Sequence, residues 1–106
     1  MAFELQADER IEQEFNGDYW EKFLFTYSQK RGNYTMTDRR INFRGGFATE
    51  VDIPYTNIAS VELCNVGPLL QFLPTGIKVT TKDGKTYKFS VMGRKDILAS
   101  LEKKMQ

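Results

Sequence analysis

The chain has 106 residues, with 15 Lys and Arg against 14 Asp and Glu, and no His. A chain this long makes one domain, and 41% apolar with 13% aromatic residues can fill a core without staples. One Cys excludes an intramolecular disulfide framework, the missing His removes Ser-His and Cys-His catalytic pairs and the commonest metal ligand, and a net charge of +1 argues against a nucleic-acid binder.

In chain order, residues 10–15 alternate Ile11 and Gln13 with charged neighbours, which suits a strand or a helix. Residues 19–28 carry Tyr19, Trp20, Phe23, Phe25 and Tyr27, types that favour strands. Their spacing predicts that Phe23, Phe25 and Tyr27 share one face. Gly32-Asn33 then precedes Tyr34-Thr35-Met36, and a turn at residues 38–40 leads into Ile41-Asn42-Phe43. Gly45-Gly46 is a hairpin-turn signal. Val51 and Ile53 share a face, and Pro54 ends that run because proline cannot donate to a ladder. Ile58, Val61 and Leu63 form the next run, and Ile77 and Val79 another. Asp83-Gly84 marks a hairpin before Tyr87, Phe89 and Val91, which alternate with Lys88 and Ser90. After Gly93 the period changes: Ile97, Leu98, Leu101 and Met105 line one face of a helix. Asp96 near its start and Lys103 and Lys104 near its end suit the helix dipole. About seven short strands and one helix make a mostly β, α+β unit, with the helix as a plug for the open end of a curved sheet.

No basic n-region opens the chain, and no apolar stretch reaches the roughly 18–20 residues of a membrane-spanning helix. With a single thiol, the expectation is a cytoplasmic protein. The chain reads as one domain over residues 1–106, with residues 1–8 an extension or a disordered lead.

Residues 32–43, Gly-Asn-Tyr-Thr-Met-Thr-Asp-Arg-Arg-Ile-Asn-Phe, carry a glycine, an alternating strand, Thr-x-x-Arg at Thr37 and Arg40, and an apolar-x-aromatic strand. Residues 51–61 and 80–89 continue the pattern, and the terminal helix follows. Together these segments resemble the GRAM and bacterial PH-like families over about residues 9–104. The resemblance implies a PH-like barrel of about seven antiparallel strands in two nearly orthogonal sheets, capped by the C-terminal helix. The segment 21–31 is longer and more aromatic than that pattern, and suits an extended first strand or a separate hairpin arm. Thr37 is expected to bond the turn backbone, and Arg40 to satisfy carbonyls or a nearby carboxylate.

Three candidate sites follow. Lys30 and Arg31, with Arg39 or Arg44, could hold an anionic lipid headgroup, because phosphates need donors and positive charge. Asp18, Glu21 and Asp38 oppose them, and a solvated charged turn is the plainer reading. Residues 66–74, between the fifth and sixth strands, hold Leu69, Leu70, Phe72 and Leu73 between two prolines. They either fold inward to close the barrel or form an exposed apolar surface for a partner. The aromatics of residues 19–28 suit a core with one exposed edge better than a base-stacking platform, given the absent basic excess.

Catalysis has little support. Gly45-Gly46 lacks the Gly-Lys-Ser/Thr end of a phosphate loop. Cys64 has no His to activate it and reads as an inert strand thiol. The carboxylates Asp8-Glu9 and Glu12-Glu14 read as a charged exterior run. The expectation is a non-enzymatic PH-like module for protein–protein interaction or self-association. Its surface would be the 66–74 loop or a free sheet edge. The alternative is a peripheral membrane domain, on the inner face, binding phosphoinositide-type headgroups. No metal, cofactor or nucleic acid is expected.

Overall fold

Alternation and turn chemistry resolve into seven strands and one helix. The computed structural model describes residues 3–68 and 70–106, with Phe23 described by its backbone alone. The strands are β1 (Ile11–Phe23), β2 (Thr26–Thr37), β3 (Arg40–Gly45), β4 (Thr49–Pro54), β5 (Ile58–Val66), β6 (Leu73–Thr81) and β7 (Thr86–Val91), and the helix is α1 (Arg94–Lys104). A single 3-10 turn at Tyr55–Asn57 follows β4. The expected turns fall at residues 38–39, 46–48 and 82–84, where short polar residues and glycines occur.

All pairings are antiparallel, in the order β4-β3-β2-β1-β7-β6-β5. The sheet curls into a half-barrel with α1 packed on β5 and β6, an arrangement that fits a PH-like fold. Tyr19, Tyr34, Phe43, Val51, Ile77, Val79 and Phe89 fill the inside, each from the apolar phase of its strand. Ile97 and Leu101 of α1 are buried against this core, with Leu98 and Met105 partly so, which is the stripe read from spacing. Asp96 lies in the first turn of α1, and Lys104 at its end pairs with Glu12 of β1.

Two glycines permit close geometry. Gly32 of β2 faces Gly45 of β3, and a Cβ on Gly32 would lie 2.2 Å from the Arg44 carbonyl oxygen. Gly93 takes φ +67°, a left-handed conformation that other residues adopt at a cost, and so lets β7 turn directly into α1.

One open alternative closes and two expectations change. Residues 10–15 are strand, not helix, from Ile11 on. Phe23, Phe25 and Tyr27 do not share a strand face. Phe23 pairs with Thr26, so Leu24 and Phe25 form a two-residue turn, with Leu24 at φ +56°. Segment 21–31 thus both extends β1 and makes an arm. β7 pairs with β1 only at residues 17–20, and β3 pairs with β2 only from Gly32 onward, so residues 21–28 form a ribbon with no strand on either side. Finally, Glu9 is not exterior: its side chain is fully buried. A charged residue goes inside only with a partner, and Glu9 has one. Of the expected lead 1–8, residues 1 and 2 lie outside the described residues, and residues 3–8 stay outside the sheet, touching it through Phe3 and Glu4 at Arg40 and Gln6 at Arg39.

Candidate functional site

The Thr-x-x-Arg segment builds a clamp. The Thr37 hydroxyl accepts from the backbone N–H groups of Arg39 and Arg40, both at 3.0 Å, and donates to Glu9 Oε2 at 2.7 Å. The Arg40 guanidinium meets the Glu9 carboxylate through two bonds, Nε to Oε2 at 2.8 Å and Nη2 to Oε1 at 2.9 Å. It also donates to Asp52 Oδ1 at 3.0 Å and to the Glu4 carbonyl at 2.9 Å. The Arg40 guanidinium beside Glu9 lowers that carboxyl to about 2. A general acid needs the opposite shift, so the clamp is a structural tie between the start of the chain and the β2–β3 turn. Phe3 extends the tie, its ring 4.6 Å from the Arg40 guanidinium carbon and 5.1 Å from that of Arg44.

The four basic candidates do not form one cradle. Lys30 and Arg31 lie in strand β2, not in a loop, and on opposite faces of it. Lys30 is half-buried beside Gly46. Arg31 is 84% exposed and pairs with Asp18 at 3.4 Å. Arg44 shares the outer face with Arg31 but pairs with Glu50 at 3.3 Å. Arg39 lies at the other end of β2, where it donates to Gln6 Oε1. Alternation and a turn separate residues that are close in sequence.

The apolar candidates do come together, with a partner that the sequence reading missed. Leu70 is 77%, Phe72 69% and Leu73 42% exposed, so the described part of the β5–β6 loop does not plug the barrel; Leu69 lies outside the described residues. The loop folds back over the outer face of the sheet. The Pro68 carbonyl accepts from the Tyr27 N–H at 2.9 Å and the Thr26 hydroxyl at 2.7 Å. Gln71 accepts from the Lys88 ammonium, which lies 4.6 Å from the centre of the Tyr27 ring. The docking sets the loop beside the arm tip, where Leu24 is 73% and Phe25 91% exposed. Two loops remote in sequence are thus tied together at Pro68, and each carries exposed apolar side chains. Leu24 and Gln71 both adopt left-handed backbone without being glycine, strain that side-chain and loop contacts must hold. No turn signal of glycine or asparagine marks residues 24–25, so only the length of the aromatic run hinted at them.

Trp20 lies on the same face of the sheet as Lys88, which bonds Gln71 of the loop. Register places it on the outer face between Gln29 and Lys88, yet it is buried, and its indole N–H has no partner among the described residues. Tyr19 faces the core, Tyr27 is half-buried and Phe25 is exposed, so the aromatic run divides between core and tip. Cys64 is half-buried on β5, and burial pushes its thiol up, away from the reactive thiolate. Among the described residues, no cluster of three His, Cys, Asp or Glu could hold a metal, and no helix is long and apolar enough to cross a membrane.

No family model matches the chain, and no curated protein matches it. Among solved structures, it is similar to the crystal structure of the C-terminal domain of an unknown protein from Leishmania infantum. The two share 19% identity and superpose with a TM-score of 0.74, over 93% of this chain and 86% of the other. That likeness is one of fold.

Proposed function

We propose that this chain is a non-enzymatic, PH-like assembly module of the GRAM or bacterial PH type, working in the cytoplasm, that self-associates through the apolar surface of the arm tip and the β5–β6 loop. The exposure of Leu24, Phe25, Leu70 and Phe72 on two docked loops carries the reading. Four such side chains present on the order of 600 Å² of apolar surface, at the upper end of what a monomer leaves open. Two copies face to face would bury about 1,200 Å², the low end of a stable interface. In this reading β1 belongs to two nearly orthogonal sheets. Its pairing with β7 only at residues 17–20, against its full-length pairing with β2, supports a bend there.

The test is the solution mass by light scattering. A dimer is expected at twice 12.3 kDa, with F25S plus F72S returning a folded monomer. A wild-type monomer at high concentration ends the self-association reading. Charge supports the membrane alternative. Lys22 and Lys88 flank the same surface and make no ion pair with a carboxylate among the described residues. An apolar tip with cations around it suits an anionic bilayer. Sedimentation with anionic vesicles at low salt, lost on F25S, would favour that reading.

A further inference from the structure

The middle of the sheet carries a bare strand edge. Arg31 of β2 turns its carbonyl away from β1, where it accepts from the Gly46 N–H at 3.0 Å. Asp18, opposite Arg31, therefore turns its own N–H and C=O away from β2, and by alternation so do Asn16 and Glu14. Asp18 meets Ser90 of β7 there, but β7 stops pairing at Gly17–Val91. The main-chain groups of Glu14 and Asn16 thus point into a gap, with no partner among the described residues. After the irregularity between Ile11 and Gln13, residues 13–16 pair regularly with β2, so no bulge blunts the edge there.

The far wall of the gap is α1, which packs on β5 and β6 and runs beside β1 in the opposite direction. Arg94 at its start lines a hollow of about 780 Å³ with Asn16 and Gly17. Lys103 near its end lines another, of about 450 Å³, with Glu12 and Gln13. Both volumes lie within the range of ligand sites. The acids of the two hollows, Asp18 and Glu12, are already paired, with Arg31 and Lys104. Arg94 donates to the carbonyls of Cys64 and Gly76, at 3.1 and 3.4 Å, and Lys103 is exposed. Neither meets a carboxylate among the described residues. The gap therefore has open main-chain groups on one wall and two uncompensated cations on the other.

We propose that an extended acidic segment of a partner protein fills this gap, pairing with β1 and presenting two carboxylates to α1. Arg94 and Lys103 are nine positions apart on the helix, about 13 Å. Carboxylates about four residues apart on a strand are also about 13 Å apart, and an even separation puts them on one face. The added strand gains main-chain bonds from Glu14 and Asn16, and the two charges fix its register. The arm tip lies at the other end of β1, so this reading stands apart from self-association there.

The probe is the synthetic peptide acetyl-Thr-Glu-Val-Thr-Val-Glu-Thr-amide, titrated into the full chain at low ionic strength. Heteronuclear NMR and amide hydrogen exchange follow the binding. Saturable shifts along residues 13–16 are expected, with slowed exchange of the Glu14 and Asn16 amides. The peptide with Gln in place of both Glu should bind about tenfold more weakly. Lys103 is exposed, so K103Q keeps the fold, and it should weaken binding of the original peptide about threefold. Methylating alternate backbone nitrogens of the peptide tests the pairing without altering the protein. One alternate set should remove binding and the other leave it, because only one edge of an added strand faces β1. Shifts confined to Arg94 and Lys103, with no protection at Glu14 and Asn16, mean loose charge contact and overturn the proposal. So do equal binding by both methylated sets and a lack of saturation at millimolar peptide. Protection of the edge that appears without peptide as protein concentration rises makes a second copy the occupant, and also overturns it.

Discussion

Replacing Glu9 by Gln keeps the shape of the side chain and removes the charge that Arg40 grips. Two routes give the size of the effect. The Glu9 carboxyl lies at about 2 in the fold against an ordinary value of 4.5. That gap corresponds to about 3 kcal/mol of stability at neutral pH. Independently, removing one partner of a buried ion pair costs roughly 3–5 kcal/mol. A domain of this size holds on the order of 5–15 kcal/mol in all, so a loss of about 3 kcal/mol in E9Q should lower Tm by about 12–24 °C. The sign with pH follows from the depressed value. The contribution is complete above the unfolded value of 4.5, and it is lost as pH falls through about 2. Urea unfolding at pH 7, 4 and 2 therefore should show a large gap between wild type and E9Q at pH 7. The gap should narrow to a small remainder at pH 2. Other carboxyls held low in the fold, such as Glu50 and Asp83, are common to both proteins and cancel. A gap below about 1 kcal/mol at pH 7, or one that does not change with pH, would refute the clamp as an energetic element.

Other outcomes follow from packing and chemistry. L101A, at a fully buried position where α1 meets the core, should cost about 2–5 kcal/mol in urea unfolding; a cost below about 1 would show that the helix is not a plug. W20F removes the buried indole N–H that lacks a partner as well as some ring volume. The two effects offset, so its stability should stay within about 1 kcal/mol of wild type. A loss on the scale of a truncation to alanine would mean that the N–H is bonded. G32A should leave little folded protein, because its Cβ would overlap the backbone of β3, and a native spectrum from G32A would contradict the strand spacing. The Cys64 thiol should react with a thiol reagent at pH 7 far more slowly than free cysteine, and equal rates would place it at the surface.

Much of the fold was legible because local chemistry and global shape agree in it. Gly45-Gly46 and Asp83-Gly84 turn where turn residues should, and the change of period after Gly93 does begin a helix. Thr37 and Arg40 behave as short-range logic suggests, bonding the turn and a carboxylate. The identity of that carboxylate was not legible. Glu9 lies 31 residues from Arg40, in a run of charges that looks like solvated surface. The arm tip escaped for a related reason: Leu24 takes a left-handed conformation with no residue type to announce it. Apolar residues in a loop leave burial and exposure equally open, and the Pro68 carbonyl bonds that tie this loop to the arm join residues about 40 apart in sequence, with no local signal. The basic candidates were adjacent as letters, and strand alternation sent Lys30 and Arg31 to opposite faces.

The strand order also sets a schedule for assembly. β1 lies in the middle of the sheet, but its second neighbour is the last strand, so Gly17 waits for Val91. A chain leaving the ribosome can fold β1–β4 as a meander of adjacent hairpins. The inner face of that meander, with Tyr19, Tyr34 and Phe43, then stays uncovered until β7 and α1 emerge. Contacts of such long sequence separation form slowly, and exposed aromatic sheet is what chaperones hold and aggregates recruit. Synthesis stalled before Thr86 should therefore yield an insoluble fragment, and the vulnerable interval in the life of this protein is the one before its final strand arrives.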